Sequence, residues 1–407
     1  MSFVKSATST THLRDASEGI EKAESPPAHL QPRTIVDVDP DGDLFLDVAL
    51  DTKGVAYRYR VCSGTLRRHS PVWKTMLFGP WLESKPTNSE EWVVQLPEDP
   101  AYPMLIILNI VHGRFADVPQ DIRLGNLRDI LALTNKYDMT SIVRPLCAQW
   151  IAVARRSKNS TEKNSTGDFS FKRSAKNTLR SLYVAWELGD EVLFALRLEE
   201  LSLRTRMDTE GRLSYATSRR SRKGTTLNDE NYLGPQDALD TICAIREALL
   251  EMLITPIHED LDARMKADPY YKIGSSGYRR MLCDAATIGS IHRHMLQTKG
   301  SILTKPASEI EDSVIELASW LFSMMSKIPT VHGDERTSDS IHARNWECFP
   351  VPKYKKLCIG IQIDTPKVVA GFIKPSHREY MAAQRAKTGL VMQDDRSARR
   401  YWHWPWS

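Results

Sequence analysis

The sequence predicts an α+β protein in which a small sheet with a helical cover precedes a mainly α-helical region. Residues 43–50 and 55–62 alternate between apolar and polar side chains and flank the turn Asp51-Thr-Lys-Gly54, which is typical of a β-hairpin. Apolar residues at helical spacing recur, with polar interruptions, from residue 66 to residue 327. Because an isolated hairpin is marginal in water, these helices must supply the surface against which it packs.

The helical cover is expected to begin just after the hairpin. Ser70 can cap a helix over residues 70–77, and Pro71 fits its first position. A further strand is predicted at residues 91–96, and more helices at residues 103–111, 124–137 and 140–150. The predicted order, over residues 36–153, is hairpin, helical pair, strand and helices.

This order and its sequence words resemble the BTB/POZ domain, in the version found in many proteins of filamentous fungi. The matching words are Gly42-Asp43-Leu44, Tyr59-Arg-Val-Cys-Ser63, Leu66-Arg-Arg-His-Ser-Pro-Val-Trp-Lys-Thr-Met76, Leu96-Pro-Glu-Asp99, Leu105-Ile-Ile-Leu-Asn-Ile-Val-His112, Leu131-Ala-Leu-Thr-Asn-Lys-Tyr-Asp138 and Leu146-Cys-Ala-Gln-Trp-Ile151. The resemblance implies a module that binds proteins and carries neither catalysis nor a cofactor. It therefore favours an adaptor or scaffold that associates with partners, with itself, or with both.

The resemblance also implies where partners bind. In that family, the contacts use the outer face of the first strand, the first helices and the loop after the third long helix, which are residues 44–48, 66–78 and 112–119 here. The candidate interface residues are Asp43, Leu44, Leu46, Trp73, Phe78, Trp81, Phe115 and Asp117. The alternative for the apolar ones is a place in the core of the module. That alternative is favoured for Trp73, whereas Trp81 is favoured as an interface residue.

Two departures from the family pattern affect the expected partners. Many animal members have Val-His-Lys after the second strand, whereas this chain has Val61-Cys62-Ser63, so the pocket that faces Asp43 lacks its usual cation. This argues against the strand-exchanged homodimer of the family. Members that serve cullin-3-type ubiquitin ligases often carry a hydrophobic-x-Glu word, which Phe115-Ala-Asp117 approximates. A substrate receptor of such a ligase is therefore an alternative function.

Composition restricts the partners and the compartment. The chain has 407 residues, 55 basic and 51 acidic side chains, and a net charge of +4, which is too balanced to require a nucleic acid or an anionic membrane. Six scattered cysteines suit buried thiols in a reducing compartment. Since no signal peptide and no apolar segment of membrane-spanning length is visible, a cytoplasmic or nuclear protein is expected.

The rest of the chain divides by composition. The segments are a disordered leader (1–35), a polar basic linker (154–177), a helical extension (178–205), a polar basic loop (206–234), a mainly helical C-terminal region (235–400) and an aromatic tail (401–407). In the extension, Gly189 is expected to stop one helix and Asp190 to cap the next. C-terminal helices are predicted at residues 235–258, 281–296, 308–327 and 380–386, with Ser308 and Glu311 as a capping box and irregular chain after Pro329.

Basic clusters around Arg155, Arg173 and Arg219 raise the question of nucleic acid. They lie in Ser- and Asn-rich segments with few aromatic residues, so solvated linkers are favoured over phosphate binding. A chromatin-associated regulator remains a third hypothesis, which rests on these clusters and on the resemblance.

Metal binding and catalysis find little support. Cys283, His342 and Cys348 are weak metal candidates, because a fourth ligand is not evident and buried free cysteines are common. His292 and His294 lack zinc-site spacing. The motifs Gly-x-Ser-x-Gly, the Walker glycine loop and His-Glu-x-x-His are missing from the sequence, so no enzymatic activity is predicted.

The C-terminal tail carries alternating tryptophans. Trp402, Trp404 and Trp406 would share one face of an extended segment, as in a peptide that docks on a sheet edge or in a groove. Docking on the same chain is favoured over docking on a partner, because three exposed indoles would form an adhesive patch.

Overall fold

The structure is a computed structural model that describes most of the chain. The described residues are 34–48, 57–87, 91–156, 161–163, 169–171, 175–208, 210–215, 225–227, 234–266, 275–298, 305–325, 327–328 and 351–391. Within them the protein is mixed α and β, mostly helical, with a small N-terminal sheet. The predicted α+β class is confirmed at this level. None of the helices described is both long and apolar enough to cross a membrane.

The strands are β1 (Thr34–Asp37), β2 (Leu44–Val48), β3 (Tyr57–Val61), β4 (Val93–Leu96), β5 (Thr161–Lys163), β6 (Phe169–Phe171), β7 (Thr205–Met207), β8 (Leu213–Tyr215) and β9 (Thr225–Thr226). The α-helices are α1 (Ser63–His69), α2 (Pro71–Phe78), α3 (Ala101–Val111), α4 (Leu124–Lys136), α5 (Cys147–Arg156), α6 (Ala175–Leu188), α7 (Glu191–Arg204), α8 (Ala238–Lys266), α9 (Ser275–Thr298), α10 (Val314–Met325), α11 (Val351–Phe372) and α12 (Pro375–Thr388).

The N-terminal sheet has the order β1-β3-β2-β4. The predicted hairpin is confirmed, since β2 and β3 are antiparallel with Leu44 opposite Val61 and Val48 opposite Tyr57. The outer strands β1 and β4 each run parallel to their neighbour. Alternation along β2 turns Leu44 and Leu46 into the core. One face of the sheet is therefore apolar and is covered by helices.

Ser70 joins two elements of the helical cover. Its Oγ accepts a hydrogen bond from the Trp73 backbone N–H at 3.0 Å, as predicted for the cap of α2. The same Oγ donates to the Tyr137 carbonyl at 2.5 Å. The Trp73 and Tyr137 rings stack with centroids 4.5 Å apart. The start of α2 is thus fixed to the end of α4.

Ser70→Ala is expected to lower the free energy of unfolding by about 2–3 kcal/mol, because it removes a cap and leaves a buried carbonyl without its donor. Chemical denaturation followed by circular dichroism measures the change. Thr75→Ala is the matched control in the same helix, since its exposed hydroxyl bonds only to the Pro71 carbonyl at 3.0 Å. Equal effects of the two substitutions would contradict the proposed role of Ser70.

The helix predicted at residues 140–150 is divided in the structure. A 3₁₀ segment, Thr140–Leu146, precedes α5. Pro145 lies inside it and cannot donate a backbone hydrogen bond, which explains the interruption. Further along, Gly189 ends α6 with a φ of 81°, and Asp190 caps α7 by accepting the Leu193 N–H at 3.1 Å. The stop and the cap were both predicted.

Short strands occur where polar linkers were predicted. β5 and β6 pair within the 154–177 segment, and β7, β8 and β9 form a three-stranded sheet within and next to the 206–234 segment. These strands have two or three residues each, too few for a recognisable alternation. β7 is held further by the Met207 N–H, which donates to the Glu311 carbonyl at 3.1 Å.

The C-terminal helices α8, α9 and α12 are longer than predicted, and two further differences concern α10 and α11. α10 begins at Val314, not at residue 308, and its capping box is Ser313 with Glu316, where Ser313 N–H donates to the Glu316 carboxylate at 3.0 Å. α11 occupies residues predicted to be irregular. The Pro and Gly residues of α11 explain why no helix was predicted there. A stripe of buried residues at helical spacing nevertheless packs it into the core: Tyr354, Cys358, Ile361, Thr365 and Val369.

A continuous hydrophobic core joins both halves of the chain, from Val38 in the N-terminal sheet to Leu390 after α12. Helix α12 packs against α6 and against the 3₁₀ segment Thr140–Leu146. The last described helix therefore returns to the N-terminal module and does not extend away from it.

Candidate functional site

The candidate interface residues separate into buried and exposed groups. Leu44, Leu46 and Trp73 lie in the core and are almost entirely excluded from solvent, so the two leucines are not surface contacts, and Trp73 takes the core position that was favoured for it. Strand alternation places the two leucines on the inner face, and the stacking with Tyr137 buries Trp73. The surface retains Asp43, Phe78, Trp81, Phe115 and Asp117.

Three exposed apolar residues of the module lie at the end of α2 and just after it. Phe78 is 42% exposed, Trp81 58% and Leu82 102%. We call residues 78–85 the aromatic turn. Leu82 was not predicted as an interface residue, although its position beside Trp81 in a polar segment is a signal in the sequence. The three side chains give this part of the surface an unusually apolar character.

Hydrogen bonds hold the aromatic turn in one conformation. The Trp81 N–H donates to Ser84 Oγ at 3.2 Å, and that hydroxyl lies within reach of the Gly79 and Met76 carbonyls. Lys85 N–H donates back to the Leu77 carbonyl at 3.3 Å. The Trp81 and Leu82 side chains are therefore presented by a closed turn.

The base of the turn is fixed to β4. Trp92 donates through its indole Nε1 to the Glu83 carbonyl at 2.8 Å. Its ring also meets the edge of Phe78, with centroids 6.0 Å apart. The end of α2 and the start of β4 thus support the turn from below.

Positive charges surround the aromatic turn. The Arg67 guanidinium lies over the Phe78 ring at 4.8 Å, and the Lys85 ammonium lies over the Trp92 ring at 5.8 Å. The last turn of α1 also carries Arg68. All three basic side chains are exposed to solvent.

The pocket at Asp43 has donors that the sequence did not reveal. Its carboxylate accepts from the Ser63 N–H and Oγ, each at 2.9 Å, and lies 3.7 Å from the Lys85 ammonium. Burial opposes ionisation, but the Ser63 hydrogen bonds outweigh it and lower the pKa of Asp43. Lys85 thus supplies a cation where the predicted pocket lacked one.

A second exposed aromatic residue follows α3. Phe115 opens a 3₁₀ turn, Phe115–Asp117, and is 50% exposed. Arg114 orients the turn by pairing with the Asp117 carboxylate at 2.8 Å and donating to the Asp37 and Val38 carbonyls. Asp117, the last residue of this turn, is therefore engaged in an internal ion pair, whereas Phe115 is available to a partner.

The outer face of β2 is closed by ion pairs. Arg58 donates to both oxygens of Asp47, at 2.6 and 2.8 Å, and Gln95 adds a third donor at 2.8 Å. The Arg58 and Arg60 guanidiniums cover the Phe45 ring. This face offers a partner fewer free groups than the aromatic turn.

Several predicted features lie outside the described residues. These are His342, Cys348, Arg173, Arg219, the Cys283 side chain and the tail with Trp402, Trp404 and Trp406. Among the residues described, no group of three or more His, Cys, Asp or Glu side chains could hold a metal ion. Arg155 pairs with the buried Asp190 at 2.7 Å, so it has a structural role.

The described cysteines are free thiols: Cys62, Cys147, Cys243 and Cys358. Burial raises the pKa of Cys358 to about 12, and burial also raises the pKa of Cys147 and Cys243. These three thiols are consequently protonated at neutral pH and are poor nucleophiles.

No family model, curated protein or solved structure matches this chain. What the exposed residues can do chemically therefore follows from their own arrangement, which is an apolar turn held by hydrogen bonds and flanked by basic side chains.

Proposed function

We propose that this protein is a non-catalytic adaptor or scaffold that acts through a BTB/POZ-like module, by binding protein partners, a second copy of itself, or both. The observation that carries the proposal is the aromatic turn. Phe78, Trp81 and Leu82 are exposed together, although the buried residues of the module form a hydrophobic core with the rest of the chain. Aromatic residues that anchor in a partner supply most of the free energy in many protein interfaces.

The hydrogen bonds of the aromatic turn support this proposal. Binding is weakened by the entropy lost when mobile side chains and loops become ordered. Here the Ser84 hydroxyl and the Trp92 indole already hold the turn. Arg67 and Lys85 at its rim favour a partner surface that carries acidic groups.

The double variant Trp81→Ala, Leu82→Ala is expected to weaken self-association or partner binding at least about tenfold, because it removes the centre of the proposed contact. Analytical ultracentrifugation measures the oligomeric state, and affinity capture with mass spectrometry identifies partners. Met265→Ala is the matched control, since it truncates an exposed apolar side chain at the end of α8. If the sedimentation and the captured proteins of the double variant both equal those of the wild type, the aromatic turn is not the binding surface.

Exposure of Phe115 favours a second candidate function, that of a substrate receptor of a cullin-3-type ubiquitin ligase. In the family that this chain resembles, the loop that corresponds to the one after α3 contacts the cullin. Phe115 is an exposed aromatic residue of that loop here. The purified protein should then bind the N-terminal domain of such a cullin, and Phe115→Ala should weaken that binding while leaving self-association unchanged. Absence of binding at low salt would eliminate this function and leave the adaptor proposal intact.

A further inference from the structure

Helix α12 carries the next inference, which is independent of the aromatic turn. We propose that α12 is a pH-dependent latch, which is docked on the α4–α6 face while the buried carboxyl of Glu187 is protonated and is loosened when that carboxyl ionises. Three elements meet at this side chain, and α12 supplies two of its hydrogen-bond donors.

The carboxyl of Glu187 is fully buried at the end of α6. Its Oε1 accepts hydrogen bonds from Tyr380 OH at 3.0 Å and from Asn135 Nδ2 at 3.1 Å. Its Oε2 accepts from Gln384 Nε2 at 3.2 Å. All three donors are neutral, although burial of an ionised carboxylate normally requires a cation close by. Gln384 Nε2 also donates to Tyr380 OH at 2.7 Å, whereas Gln384 Oε1 is buried without a hydrogen-bond partner.

Docking of α12 contributes to the burial of this group. The Tyr380 ring stacks on Trp186 with centroids 4.2 Å apart, and Thr388 Oγ1 donates to the Leu188 carbonyl at 3.0 Å. Gly189 lies against the backbone of α12. Release of the helix would uncover Glu187 together with Trp186, so the ionisation state of the carboxyl and the position of the helix are coupled.

The direction of the coupling follows from the two pKa values. Burial raises the pKa of Glu187 to about 7, against the opposing hydrogen bonds of Tyr380 and Tyr183 and the charge of Lys387. In a solvated state the pKa returns towards the ordinary 4.5. Between these values the docked state holds a proton that the released state has lost. Docking is therefore strongest at acid pH, weakens as pH rises to about 7, and is constant above that.

Other charged groups face the same contact. Lys387 pairs with Asp138 at 3.2 Å, and Arg378 of α12 pairs with Glu191 of α7 at 2.9 Å. At the start of α12, His377 Nε2 lies 2.9 Å from Asp237, which also pairs with Lys374. Across from Glu187, the Arg128 charge acts on the Tyr183 hydroxyl. Histidine side chains in general can change charge between pH 5 and pH 8, so a control variant must separate any effect of His377 from that of Glu187.

Hydrogen exchange of the full-length protein at pH 6 and pH 8 tests the latch. Protection factors, corrected for the intrinsic effect of pH, report the docking equilibrium of residues 375–388. We expect protection of this segment to fall about tenfold between the two pH values, while α8 keeps its protection. Glu187→Gln should remove the dependence, because the neutral amide mimics the protonated carboxyl.

Two further variants distinguish the titrating group. Tyr380→Phe removes a donor to the ionised carboxylate, so the midpoint of the transition should move to higher pH, a result that remains informative if Glu187→Gln does not fold. His377→Gln should leave the pH dependence in place. Equal protection of wild-type α12 at both pH values would overturn the proposal, and so would a dependence that survives in Glu187→Gln or disappears in His377→Gln.

Discussion

Replacement of Arg246 by leucine should lower the free energy of unfolding by about 3–5 kcal/mol. Arg246 is fully buried in α8. Its guanidinium donates to the carbonyls of Thr205 at 3.1 Å, Asp312 at 2.8 Å and Ile310. These three acceptors lie at the start of β7 and in the segment before α10. One side chain therefore joins three parts of the C-terminal half.

Two opposing terms decide the sign of this effect. Leucine removes a buried charge whose cost is visible in the pKa of Arg246, which burial lowers. It also leaves three carbonyls without this donor, and each buried unsatisfied group costs about 1–3 kcal/mol. Removing one partner from a buried polar network lowers the stability of the protein, because the remaining groups are left unpaired. Only replacement of the whole network by apolar groups would leave the stability unchanged. We therefore expect a net loss of stability.

Denaturant unfolding measured by circular dichroism gives the change for Arg246→Leu. Arg293→Leu is the matched control, since Arg293 is exposed on α9, and its effect should remain within about 0.5 kcal/mol. Arg246→Lys should be intermediate, because an ammonium keeps the charge but cannot reproduce the fork of the guanidinium. A loss below about 1 kcal/mol for Arg246→Leu would show that other donors serve the three carbonyls.

Gly189→Ala should release α12 from the N-terminal module. Gly189 has a φ of 81°, a conformation that costs an L-residue about 1–2 kcal/mol. An added Cβ would lie 2.6 Å from the Arg385 backbone nitrogen and closer still to the Met381 carbonyl oxygen. Since both atoms belong to the backbone of α12, no rotation of a side chain relieves the overlap. The helix must move.

Hydrogen exchange should therefore show low protection of residues 375–388 at every pH in Gly189→Ala. Gly113→Ala separates strain from overlap, because Gly113 also has a positive φ, of 72°, but an added Cβ there meets no atom within 4 Å. It should cost only the strain and leave α12 docked. If the hydrogen-exchange protection of α12 is the same in the two variants, close packing at Gly189 is not what holds the helix.

The sequence by itself predicted the elements that local chemistry specifies. Alternation over residues 43–50 and 55–62 predicted β2 and β3, and Ser70 with Pro71 marked the start of α2. Gly189 and Asp190 likewise marked the boundary of α6 and α7. Each of these signals depends on neighbours within a few residues, so it can be read without knowing the fold.

Only the tertiary structure decided which side chains are exposed and which distant segments meet. Leu46 and Leu82 are both apolar, yet strand alternation and the sheet bury the first while a closed turn exposes the second. Glu187 accepts a hydrogen bond from Gln384, 197 positions further along the chain, and burial raises the pKa of Glu187. Such pairings depend on how the chain returns to itself, because burial and electrostatics act through space and not along the sequence.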